Sequence, residues 1–239
     1  MKKPPEKEMT FVEHLEELRR RLIVILAVVL FFSIVVYFFS ERMVDYFTQP
    51  LPGVYFFTPT EAFTVRIKIS LFAGLIVTLP LIFYQLWKFV GPGLLKKEIK
   101  AIVPIVFSAT IFFLVGGGFC FFYVIPAAVK LLLGFGTANL KPMISINSYV
   151  SFVVMMVLAF GVVFELPVAA FILGRLGVID HKFLAHGRRY AAVIILIVAA
   201  ILTPTPDAFS QLLLAGPLYL LYEVSIIVLW LTCRKKRVG

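Results

Sequence analysis

Six apolar runs, five of them near or above the length that crosses a bilayer, are separated by polar segments, alternate ones rich in Lys and Arg. They are Leu22–Ser40, Ile69–Trp87, Ala101–Ile125, Tyr149–Leu173, Tyr190–Leu202 and Ala208–Leu231. A helix needs about 20 apolar residues, at roughly 1.5 Å each, to cross some 30 Å of hydrocarbon. The fifth run has thirteen residues before "TPTPD", so it must thin the bilayer or shelter among its neighbours. With 61% of 239 residues hydrophobic and only 15% charged, the chain lies outside the range of soluble domains. The expected fold is an all-α integral membrane protein, one six-span domain over residues 1–239. A cytoplasmic amphipathic helix over 10–21 leads into the first span, the fifth and sixth helices are short, and 232–239 form a basic tail. Pro80, Pro104, Pro167 and Pro217 fall inside runs. Each removes a backbone donor and bends its helix, which points to a concave bundle.

The net charge of +10 is placed for a membrane rather than for nucleic acid. With the N-terminus inside, the inner segments hold eighteen Lys and Arg, among them Arg19–Arg21, Lys96, Lys97, Lys100, Arg188 and Arg189. The outer segments hold five: Arg42, Lys130 and Lys141, with Arg66 and Lys68 at a span boundary. This asymmetry predicts a multi-pass protein of the cytoplasmic (inner) membrane with both termini cytoplasmic. "RRRL" before Ile23 has the look of a signal peptide, but no small-residue cleavage site follows the apolar run, so it reads as a retained first span. Cys120 and Cys233 fall near opposite membrane faces, so neither a disulfide framework nor a metal site is expected. There is no Walker motif, "GxSxG" or "HExxH". The three histidines, His14, His181 and His186, lie in inner segments and read as surface residues.

The acids carry the remaining information. Glu165, in "VVFELPVAA", lies eight residues from the inner end of its run, about 12 Å deep at the helical rise. An ionisable residue at that depth costs about 2.5–3.5 kcal/mol on insertion scales and is a functional candidate. No Lys, Arg or His lies inside the six runs, so its partners are expected to be neutral: Gln85, Gln211, a hydroxyl or water. Pro167 leaves the Val163 carbonyl without its helical donor, which favours a neutral Glu165 in a polar pocket that accepts a partner's polar group. Glu223 in "LLYEVSI" invites the same argument more weakly. Asp207, after Pro206, suits the start of the sixth helix.

The N-terminal stretch "TFVEHLEELRRRL" opens with a capping box, Thr10 and Glu13. Phe11, Leu15, Leu18 and Leu22 form an apolar stripe able to lie on the membrane surface. Glu16–Arg20 and Glu17–Arg21 are spaced as i,i+4 ion pairs, which leaves two readings: a self-paired solvated face, or a carboxylate that receives another protein's arginine. In the first inner loop, "LWKFVGPGLLKKEIK", Glu98 is a lone acid among lysines, either a surface ion pair or an acceptor for a cation.

At these motifs the chain resembles the TatC family, the multi-spanning receptor subunit of the twin-arginine (Tat) protein translocase. The pieces are "EHLEELRRR", "QPL", "PTEAF", "YQLWKFVGPGL" with "KKE", "SFVVMMVLAFGVVFELPVA", "LTPTPDAFSQ" and "PLYLLYEVSI". The resemblance implies a non-enzymatic receptor without a cofactor, binding twin-arginine signal peptides of folded precursors. It implies recruitment of TatA- and TatB-type single-span subunits, export driven by the proton-motive force, and room for self-association. By the same resemblance Glu17 and Glu98 contact the paired arginines, with Arg19 and Phe89 in the same motifs. Glu165 is placed with Gln211 at an intramembrane docking face, and Pro50 and Asp207 match other characteristic positions. Two details depart from the family pattern: Leu95 stands at a tyrosine position and Ile99 follows Glu98 in the first inner loop, and "TPTPD" is one residue longer than "TPPD". The rival reading is a small-solute or ion transporter with Glu165 as its proton or cation site. It requires a polar path that the runs barely supply.

Overall fold

The computed structural model describes residues 11–51, 53–90, 102–134, 143–202 and 208–236. There the chain is almost wholly helical: α1 (Phe11–Tyr37), α2 (Ser40–Thr48), α3 (Pro59–Val90), α4 (Ile102–Phe119) and, after one π-helical turn at Cys120–Val124, α5 (Ile125–Gly134). The order continues with α6 (Ile146–Phe164), α7 (Leu166–Leu176), α8 (His181–His186), α9 (Arg188–Leu202) and α10 (Ala208–Lys236). No strand occurs among the described residues; a single bridge joins Tyr55 to Ser145.

Among the described residues, five helical stretches are long and apolar enough to cross a membrane: Val12–Tyr37, Pro59–Phe89, Val103–Gly134, Ile146–Arg175 and Leu214–Leu231. The expected fifth span falls in α9, whose 15 residues cover only about 22 Å. The N-terminal amphipathic segment and the first span form one helix: α1 runs unbroken for 27 residues, because no Gly or Pro interrupts its Glu, Leu and Arg, all good helix formers. Two other expectations need correction. Ser40 belongs to α2 and not to the first span. The sixth helix is not short. It has 29 residues and contains Pro217, so it reaches about 44 Å.

The prolines act differently from one another. Pro80 and Pro217 lie inside helices that continue through them. Pro104 falls in the first turn of α4, where the missing N–H has no intrahelical acceptor to lose, so it is no kink. Pro167 stands at the start of α7 and marks a real break. Pro126, which the sequence reading passed over, follows the π turn; its missing N–H and its ring disrupt the preceding turn, and the wider winding accommodates them.

Packing is pairwise: α1 on α3, α4 on α6, α7 on α10, and α9 on α10, with α3 also touching α4 and α6. Phe160, Ile69, Met156, Val65, Val150 and Val153 are fully buried at the centre, while large apolar side chains such as Phe31, Phe107, Phe122 and Val162 cover the outside. That inside-out surplus is what lipid, not water, accommodates. Small residues set the close approaches. A Cβ on Gly161 would sit 2.5 Å from the tip of the Phe113 ring, so its absence lets that ring of α4 lie directly on the α6 backbone. Likewise a Cβ on Gly74 would lie 2.7 Å from the Ser33 backbone nitrogen, which fixes where α1 crosses α3.

At one end the connecting segments are stitched together. Tyr55 N–H donates to the Ile144 carbonyl and Ile146 N–H to the Tyr55 carbonyl, both at 2.9 Å. Lys68 Nζ donates to Asn147 Oδ1 at 2.6 Å and Ser151 Oγ at 2.8 Å. These bonds tie the start of α3 to the start of α6.

Candidate functional site

At the opposite end, α1 and α3 run antiparallel and their polar side chains form a ladder. Arg21 Nε donates to Glu17 Oε1 at 3.0 Å, and its Nη2 reaches the same oxygen. Arg21 Nη1 crosses to α3 and donates to Gln85 Oε1 at 3.1 Å and the Gln85 carbonyl at 3.3 Å. One turn nearer the end, His14 stacks on Phe89, ring centres 4.2 Å apart and 15° from parallel. His14, Glu17 and Arg21 therefore share one face of α1, while Gln85 and Phe89, one turn apart on α3, meet it.

Glu17 Oε2 is buried and has no hydrogen-bond partner among the described residues. A carboxylate oxygen taken from water without a donor is costly. Glu17 lines two cavities. One, about 430 Å³, is bounded by Arg20, Arg21, Val24, Gln85 and Lys88. The other, about 510 Å³, lies over the other side of α1 beside Glu13, Glu16, Arg19 and Ile23.

The second candidate is Glu165. It occupies the joint between α6 and α7: its N–H donates to the Val162 carbonyl at 3.1 Å, and its carbonyl accepts from Ala169 N–H at 2.8 Å. The side chain lies beside the Phe113 backbone, and its Oε1 is buried without a partner among the described residues. Neither expected neutral partner is there. Gln85 is engaged with Arg21, and Gln211 Nε2 donates to the Leu196 carbonyl at 2.9 Å, tying α10 to α9.

The family model described as "Sec-independent protein translocase protein (TatC)" matches residues 13–217, which takes in both sites. The chain belongs to the TatC family. It is 41% identical over 227 residues to the TatC of Carboxydothermus hydrogenoformans, covering 93% of each chain. It is 39% identical over 237 residues to that of Aquifex aeolicus, covering 96% of this chain and 98% of that one. A crystal structure of the twin-arginine translocase receptor TatC in DDM superposes with a TM-score of 0.82 at 37% identity, covering 91% of this chain and 99% of that chain. The chain is thus a multi-pass membrane protein and a component of a Sec-independent protein translocase.

Of the residues matched to TatC motifs, the structure brings Glu17 and Phe89 to one helix pair. Arg19 is exposed and lines the cavity on the other side of Glu17. Pro50 lies in the turn after α2, where Leu51 N–H donates to the Thr48 carbonyl at 3.0 Å, and it takes no part in the ladder. Glu98 and Asp207 lie outside the described residues, as do Leu95, Ile99 and the "TPTPD" insertion.

Three readings change. His14 is a stacking partner and not a plain surface residue. Of the two i,i+4 pairs, Glu17–Arg21 forms, and Glu16–Arg20 is not among the ion pairs of the described residues. Glu223 does not share the position of Glu165: it holds Arg188 through two parallel bonds, Nε–Oε1 at 2.8 Å and Nη2–Oε2 at 2.9 Å. That hydrogen bond, and then the charge itself, raises the Arg188 pKa above its ordinary value. Arg188 belongs to the segment before the fifth run, outside the run interiors that hold no cation. The spacing of His14, Glu17 and Arg21 at i, i+3 and i+7 was the available signal for the ladder, but nothing local names Gln85 as its acceptor.

Proposed function

We propose that this chain is the receptor subunit of a twin-arginine translocase in the cytoplasmic membrane, with six spans and both termini inside. The observation that carries the reading is the buried, unpartnered Oε2 of Glu17 in a cavity framed by Arg21 and Gln85. Arg21 already presents a guanidinium to the other oxygen of the same carboxylate, which supports arginine as the chemistry this carboxylate accepts. A signal-peptide arginine entering the cavity completes the carboxylate's coordination through a charge-assisted bond. The second arginine is assigned to Glu98, with Arg19 and Phe89 shaping the approach.

On this reading Glu165, neutral at the α6–α7 joint, is the intramembrane polar contact for TatA- or TatB-type subunits, which assemble the passage under the proton-motive force. Because Gln211 is spent on the Leu196 carbonyl, its share in docking is to hold α9 against α10. The transporter reading finds less support: Glu165 Oε1 has no hydroxyl or acid within bonding distance among the described residues to continue a proton path. The decisive measurement is binding of a twin-arginine signal peptide to the purified full chain. Retention of the natural peptide with loss on changing both arginines to lysine supports the receptor, and equal retention of both peptides rejects it.

A further inference from the structure

Beyond Glu17, α1 carries an ordered row of exposed side chains into the membrane. Only 6% of its apolar window is buried, against 28% to 39% for the other four membrane-length stretches among the described residues. Glu17, Val24 and Phe31 recur every seven residues, and Arg20, Ala27 and Ile34 form the row beside them at the same interval. Each step of seven drifts only about 20° around a straight helix, so both rows run along one side of α1. Val24, Ala27, Phe31 and Ile34 are all exposed. Ser33, where α3 crosses closely, stands half a turn around the helix from Val24. The two rows therefore face away from that crossing.

Apolar residues spaced alternately three and four apart make the seam by which one helix receives another. Val24, Ala27, Phe31 and Ile34 have that spacing. Ala27 is framed by Ile23, Val24, Leu30 and Phe31, one turn away on either side and all exposed. A small side chain inside a frame of four large ones is a hole for a knob, and small residues admit close helix contact in a bilayer. Lipid tails coat an apolar surface of any pattern, so this pattern points to a helix. The head of the seam says which kind. Val24 lines both cavities beside Glu17, so the apolar row and the carboxylate site are continuous. The cavity on the outward side is lined by the carboxylates of Glu13, Glu16 and Glu17 against the guanidinium groups of Arg19 and Arg20. That excess of negative charge favours a helix with a basic end.

We propose that this seam is the bed for the apolar core of the signal peptide whose arginines Glu17 receives. It rests on the receptor reading of the Glu17 site and adds where the rest of the peptide goes. A signal peptide places its charged stretch before an apolar core of about 7–15 residues, which as a helix is about 10–22 Å long. The seam from Val24 to Ile34 covers about 15 Å, inside that range. Seated here, the peptide runs parallel to α1, with its basic end at the inner face and its core in the hydrocarbon. A second copy of α1 in register would set Glu17 against Glu17 and Arg20 against Arg20, like charge on like.

The test is photo-crosslinking of the purified full chain in lipid nanodiscs, with benzoylphenylalanine in place of Phe31 or Ile34. Phe107 of α4 and Ile197 of α9, also exposed, serve as control positions. Two peptides are compared, both with the arginine pair, one with a leucine-rich core and one with serines there. The expected result is an adduct of the leucine peptide at the two seam positions and none at the controls. Ala27→Trp, filling the hole, should weaken binding of the leucine peptide about tenfold, within the range that overpacking a contact costs. The same variant should leave the serine peptide unchanged. Ala27 is exposed, so its variant is expected to fold. Equal adducts at the controls, an adduct between two copies of the chain in place of the peptide, or an Ala27→Trp variant that weakens neither peptide or both alike would each overturn the proposal. Equal binding of the leucine and serine peptides by the wild type overturns it too, while leaving the arginine site standing. If neither peptide is distinguished from its twin-lysine counterpart, the receptor reading fails and the seam assignment fails with it.

Discussion

Replacing Glu17 by Gln separates the two duties of that carboxylate. The amide keeps the shape and an oxygen that can still accept from Arg21, but it removes the negative charge from the buried, open position now held by Oε2. Arg21 keeps its α3 anchors on the Gln85 side chain and carbonyl, so the ladder stays assembled. What a bound peptide loses is one charge-assisted hydrogen bond, worth about 1.5–3 kcal/mol. The Glu17 side chain is 24% exposed, and water screening pulls the figure to the low end, about 1.5 kcal/mol, or about tenfold in Kd. The assay is a double-mutant cycle: wild type and Glu17→Gln, each titrated with twin-arginine and twin-lysine peptides by fluorescence anisotropy. A coupling near 1.5 kcal/mol between Glu17 and the arginines is expected, because lysine cannot reproduce the planar fork of a guanidinium. If Glu17→Gln weakens both peptides equally, Glu17 acts only through the internal architecture, and the arginine assignment fails.

Three other outcomes follow from the packing. Gly161→Leu should destabilise the chain by about 1–3 kcal/mol, since even its Cβ meets Phe113 at 2.5 Å; an unchanged thermal midpoint in detergent would contradict the observed α4–α6 approach. Lys68→Met leaves Asn147 and Ser151 without their donor and should cost about 1.5–3 kcal/mol, read as earlier protease cleavage between α5 and α6; wild-type cleavage kinetics would show that this stitch is not structural. Glu165→Gln keeps the polar shape at the α6–α7 joint, so the thermal midpoint should hold while site-specific crosslinking to TatA- or TatB-type subunits falls; undiminished crosslinking would remove Glu165 from the docking face.

The spans were legible because apolar run length is a local property, and no tertiary contact is needed to make such a stretch helical in lipid. The break at Glu165 was half legible: Pro167 announces a missing donor, but whether a helix bends or stops there depends on what packs around it. Pro80 and Pro217, inside helices that continue through them, show that the residue alone does not decide. Helix ends were hardest. The polar start of α1 differs in composition from the span it leads into, yet with no breaker between Phe11 and Tyr37 a change of polarity is not a change of conformation. The ladder was illegible in its decisive contact, since Arg21 and Gln85 are 64 residues apart and each has a plausible local alternative. Arg188 and Glu223, 35 residues apart, were missed for the same reason.

The ladder also bears on why Glu17 Oε2 remains open. Only 6% of the apolar window of α1 is buried, against 39% for Ile146–Arg175, so α1 gains little from packing. Its hold on α3 rests on the close crossing at Ser33 and Gly74 and on the polar contacts from Arg21 to Phe89. In a polar arrangement selected for stability alone, every buried acceptor would be satisfied, because one left open costs about 1–3 kcal/mol. Here Arg21 could in principle span both oxygens of Glu17 in a fork, as Arg188 does with Glu223. Instead it puts two donors on one oxygen and turns the third group toward Gln85. The second oxygen is thereby withheld from the chain's own arginine, and that is the arrangement a site needs if it is to receive an arginine from elsewhere.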